Sequence, residues 1–124
     1  MSITPFTVEF REFPPEPTTH VASQPQTPVP AGQIWVVEHI SVRIETTTDW
    51  NARLDYITFV PDKAPQVTLF MPSPPPLITF ERKSFQFSEL VRMYVQAGQT
   101  LGMLVDGEQI VYVDAWVTGH LEPA

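Results

Sequence analysis

Residues 33–48, QIWVVEHISVRIETTT, set the fold class. Ile34, Val36, Ile40, Val42 and Ile44 alternate with Trp35, Val37, His39, Ser41, Arg43 and Glu45, so two faces emerge with a period of two. Such alternation in a run rich in β-branched residues is the pattern of a strand. Glu38 interrupts the apolar face, and a strand this long is expected to bend or bulge near Glu38-His39.

Working outward, Thr46 to Asn51 is turn chemistry, and Leu54 to Val60 reads as the next strand. Pro61 to Pro65 closes it. Val67–Met71 and Leu77–Phe80 read as short strands divided by Pro72-Ser73-Pro74-Pro75-Pro76, a polyproline connector. Phe85 and Phe87, then Val91, Met93 and Val95, continue the strand rhythm. Phe87, Leu90, Val91 and Tyr94 also fit a helical spacing after Ser88, but the strand patterns on both sides favour strand. Leu101, Met103 and Val105 lead to Asp106-Gly107, a hairpin signal. In the final strand Val111, Val113, Ala115 and Val117 are expected to point inward, opposed by Ile110, Tyr112, Asp114 and Trp116.

The sequence repeats one short phrase. Val29-Pro30-Ala31-Gly32-Gln33 and Val95-Gln96-Ala97-Gly98-Gln99 share V-x-A-G-Q, with each glycine expected to take a positive φ in a tight turn. Seven of the fourteen prolines fall in the first thirty residues. There only Phe6 to Arg11 alternates like a strand, and Phe13 to Pro30 is polar and proline-broken. Residues 1–30 are therefore expected to form an extended N-terminal arm, or else a long segment wrapped on its own domain. Residues 31–124 form the β-domain. The fold class is all-β, a jelly-roll-like antiparallel β-sandwich with an extended proline-rich arm.

Composition excludes several functions. The 124 residues carry 7 basic and 14 acidic side chains, a formal charge of −7, and no cysteine. A thiol nucleophile, a disulfide scaffold and a thiolate metal site are thereby ruled out. The acidic balance opposes a general nucleic-acid binder, which needs a positive field. No apolar run reaches membrane-spanning length. The opening MSITPFTVEF shows no secretion signal.

Catalytic motifs are missing as well. There is no G-x-S-x-G, no P-loop and no G-x-G-x-x-G. His20, His39 and His120 are widely spaced, so no metal site and no cofactor are expected. Glu38 on an apolar face needs a partner, since a lone buried charge is costly. Asp49-Trp50-Asn51 and Asp106-Gly107-Glu108 are ordinary turn chemistry without the density of a calcium loop. No enzyme is expected. What remains is surface: Trp50 in a turn, and Trp35, Trp116, Tyr94 and Tyr112 on outward strand faces, where aromatics either serve sugars or protein interfaces or cover a second core face, for instance beneath the N-terminal arm.

Three segments support a comparison: VPAGQIWVVEHISVRI (29–44), VQAGQTLGMLV (95–105) and AWVTGHLEP (115–123). Together they resemble small jelly-roll β-sandwich virion proteins of tailed bacteriophages, of the capsid-decoration (cement) type. The resemblance implies a homotrimer on the capsid surface, an arm gripping neighbouring capsid subunits, and a virion location after synthesis in the host cytoplasm. Phe6, Val8 and Phe10 are the expected arm anchors, with no nucleic acid and no membrane as partner. The strand rhythm is also similar to cupins, but the H-x-H and following ligands of that family are absent. An alternative is a carbohydrate-binding module using Trp50, Tyr56 or Trp116 as a stacking platform, or a phage tail or fibre component.

Overall fold

The computed structural model describes residues 3–23, 28–61, 77–78 and 82–123. Seven strands occur among them: β1 (Thr4–Glu12), β2 (Thr18–Ser23), β3 (Gln33–Thr46), β4 (Arg53–Pro61), β5 (Leu77–Ile78), β6 (Lys83–Val95) and β7 (Leu101–Pro123). All pair antiparallel, and none of the described residues is helical. Residues 87–94 are therefore strand, as the flanking alternation indicates. The expected strand at 67–71 and the connector at 72–76 lie outside the described residues.

The organising element is β7, 23 residues long. Its first half, around 101–110, lies between β2 and β4, and its second half, 110–123, lies between β1 and β3. From β3 the sheet continues to β6 and β5. The expected hairpin at Asp106-Gly107 does not form; the chain continues through it as one strand. Glycine is needed there for a different reason. A Cβ on Gly107 would lie 2.3 Å from the Arg53 carbonyl oxygen, so the approach of β4 excludes any side chain. Two residues later Gln109 has a φ of +61°, and the register with β3 slips between Tyr112 and Ile110. These irregularities bend β7 midway.

The bend turns both halves onto one core. Met103, Val105, Ile57 and Phe59 from the first half join Ile40, Val42, Ile44, Val113, Ala115, Val117 and Phe10 from the second in a single buried cluster. Phe10 of β1 meets Phe59 of β4 edge-to-face, with centroids 5.9 Å apart, directly linking the two halves. Burying one such side chain stabilises the fold by roughly 1.5–3 kcal/mol.

Register irregularities also correct the face assignment. Between Val37 and His39, β3 slips against both β6 and β7. The extra residue at Glu38 reverses the alternation, so Val37 and Trp35, not Val36 and Ile34, share the core side with Ile40. Trp35 stacks on Phe6 at 4.9 Å and packs against the core, so of its two expected positions it takes the one covered by the N-terminal segment. In β7 the slip brings Ile110 into the core, leaving Val111 only half-buried.

The repeated V-x-A-G-Q phrases form equivalent turns. Gln33 N–H donates to the Pro30 carbonyl at 3.2 Å, and Gln99 N–H donates to that of Gln96 at 3.0 Å. Their third residues, Gly32 and Gly98, have φ of +82° and +83°, as a type II turn requires. The two phrases also bond each other, through Val29 N–H to Gln99 O and Gly98 N–H to Val29 O, both 2.9 Å. At the N-terminus, 4–12 and 18–23 pair in succession along one edge of β7 of the same chain.

Candidate functional site

Strand register places a polar face on the outside of β1, β7, β3 and β6. One row reads Glu9, Trp116, Ser41, Ser88, and the next reads Arg11, Asp114, Arg43, Gln86. Along β7, Trp116, Asp114 and Tyr112 follow at intervals of two and so share that face. Between β3 and β6 a groove of about 390 Å³ opens, lined by Ser41, Arg43, Gln86, Ser88 and Trp116, with Val42 and Phe87 beneath. The short serines leave the indole of Trp116 uncovered on their side; the residue is 39% exposed.

Charges on this face are internally paired. Arg43 donates to Glu45 at 2.6 Å and lies 5.7 Å from the Tyr112 ring centroid. The Glu45 hydrogen bond raises the already high pKa of the guanidinium, so its charge is fixed. Arg11 sits 3.1 Å from Glu9 and 3.9 Å from Asp114. Asp114 is only 5% exposed, and its Oδ1 has no hydrogen-bond partner. Burial, then the Asp114 charge, pushes the Tyr112 hydroxyl above its ordinary pKa. Phe13 covers part of Tyr112, with centroids 4.6 Å apart.

A second polar row lies outside the first half of β7, where His20, Asp106 and Tyr56 are register partners. His20 Nδ1 is 3.0 Å from Asp106 Oδ1. Burial opposes the Asp106 charge, but hydrogen bonds from His20 and Tyr56 outweigh it and hold the carboxyl below its ordinary value. The same bond, made to its neutral form, raises the Tyr56 pKa. Glu38 finds its partner in His120, with Nδ1 2.6 Å from Oε1. The bulge that moves Glu38 off the core face explains how this carboxylate avoids burial without a partner. His39 joins neither pair. Among the described residues, no group of three or more histidines and carboxylates is placed to hold a metal ion.

The residues singled out from the sequence are dispersed. Trp50 is 95% exposed in the turn closed by Ala52 N–H to Asp49 O, and Lys83 Nζ caps that turn through the Asp49 and Ala52 carbonyls. Tyr56 and Trp116 lie outside different halves of β7, so these three aromatics form no common platform. Phe6 and Val8 are half-buried against the core, and Phe10 is 1% exposed. The polar residues around Trp116 were hidden from sequence reading. Ser41, Ser88, Arg43 and Gln86 come from two strands whose pairing fixes them, and single-strand alternation carries no register between strands. Family models, curated proteins and solved structures gave no match to the chain.

Proposed function

We propose that the chain is a non-enzymatic structural protein of a virion, of the capsid-decoration type its sequence resembles, and that it docks through β1. The observation that carries the reading is the position of that strand. It ends the strand order, its one partner among the described residues is β7, and exposed apolar residues bracket it. Ile3 is 75% and Phe13 69% exposed. An edge strand presents a row of main-chain donors and acceptors that a neighbouring chain can extend, while apolar side chains at its ends fix the register.

In this account the domain is a jelly-roll sandwich whose N-terminal arm stays on its own core. Phe6, Val8 and Phe10 anchor β1 to β7, and the opposite edge of β1 grips the neighbour. Beyond the two residues paired with β5, β6 is a second open edge among the described residues. Joining β1 of one copy to β6 of the next is a heterologous contact, which closes into a ring such as a trimer. Light scattering tests this. The wild-type chain is expected near 42 kDa, three copies of 14.0 kDa. A chain carrying Ile3→Lys, Thr7→Lys and Phe13→Lys is expected at a single-copy mass while still unfolding cooperatively, at a lower melting temperature because assembly no longer stabilises it. A wild-type monomer, or a lysine variant that keeps the wild-type mass, overturns the reading.

A further inference from the structure

The Trp116 groove opens on the sheet face, whereas edge docking uses the main chain of β1 and β6, and its chemistry points to a ligand. We infer that it binds a neutral saccharide, with one pyranose ring stacked on the Trp116 indole. A sugar ring offers an apolar C–H face and a rim of hydroxyls, so its site needs an exposed aromatic plane beside short-range donors and acceptors. Trp116 supplies the plane. Ser41 and Ser88 supply hydroxyls on the groove floor, while Gln86 and Arg43 supply an amide and a guanidinium at its wall. The space of about 390 Å³ is adequate for a small ligand.

Charge selects against anionic glycans. The face carries Arg11 and Arg43 against Glu9, Glu45 and Asp114, and each arginine is already held by a carboxylate. Arg43 is the one cation among the residues that line the groove, and Glu45 already holds it, so the groove itself offers no free cation to a sulfate or a sialic acid. The alternative platform, Trp50, has the larger exposed area but stands in a turn.

The test is tryptophan fluorescence titration with neutral malto-, cello- and chito-oligosaccharides, beside a glycan array that includes sialylated and sulfated members. The expected result is binding of a neutral glycan that weakens at least about tenfold in Trp116→Ala. Ser88→Trp, an exposed substitution that fills the groove, is expected to weaken it similarly with an unchanged melt. Trp50→Ala and the triple-lysine edge variant are expected to bind as the wild type does, which separates this site from the assembly reading. Absence of neutral-glycan binding up to millimolar concentration overturns the inference. So does preference for anionic glycans, binding indifferent to both groove substitutions, or self-association that shields Trp116 from a soluble quencher.

Discussion

At the residue scale, a few side chains carry disproportionate weight because of where the ladder puts them. Gly107→Ala places a methyl 2.3 Å from the Arg53 carbonyl oxygen, a backbone atom that cannot rotate away. The substitution is expected to cost about 3 kcal/mol in urea unfolding, at the upper end for overpacking. Phe10→Ala removes the ring that joins the two halves and is expected to cost roughly 3–5 kcal/mol. Trp50→Ala, at an exposed turn, is expected to change stability by less than about 0.5 kcal/mol. Acid is a further probe. Because Asp106 has a lowered pKa in the folded chain, the unfolded chain takes up its proton first as pH falls. Its contribution is complete above the ordinary carboxylate pKa and disappears as pH drops through the folded value. Thermal melts should therefore show a steeper acid-side loss for the wild type than for Asp106→Asn; equal slopes would remove Asp106 from the account.

At the scale of elements, period-two alternation exposed most of the strands, including the long β3 and β6. It reads side-chain direction one strand at a time. What it could not read were the irregularities that reset direction. Glu38 signalled one by breaking an apolar face, yet simple alternation put Val37 opposite Ile40, and the bulge returns it to the core side. Asp106-Gly107 looked like a hairpin because the same dipeptide suits a two-residue turn and a close strand approach; only the neighbouring β4 distinguishes them. The proline-rich segment after β1 concealed that 4–12 and 18–23 flank successive halves of one strand. This arrangement makes the N-terminus integral to the sheet. Deleting residues 1–12 uncovers the β7 edge and the seat of Phe10, so cooperative unfolding should be lost; a truncated chain with an unchanged melt would show the segment to be a detachable arm.

At the scale of the whole molecule, one bent strand gathers both halves of the sheet around a shared core and leaves its two outer faces polar. The groove beside Trp116 depends on register across β7, β3 and β6, and the docking edge depends on β1 ending the sheet. Neither property resides in a motif, which is why composition and spacing did not locate a site. The proposed assembly rests on the far edge of β1, and backbone hydrogen exchange reads that edge directly. A strand paired on one side protects only alternate amides, whereas one paired on both sides protects them all. Residue-resolved exchange along Thr4–Glu12 in the wild-type chain should show every amide protected, reverting to alternate protection in the triple-lysine variant. Alternate protection in the wild type at every protein concentration would contradict docking through β1.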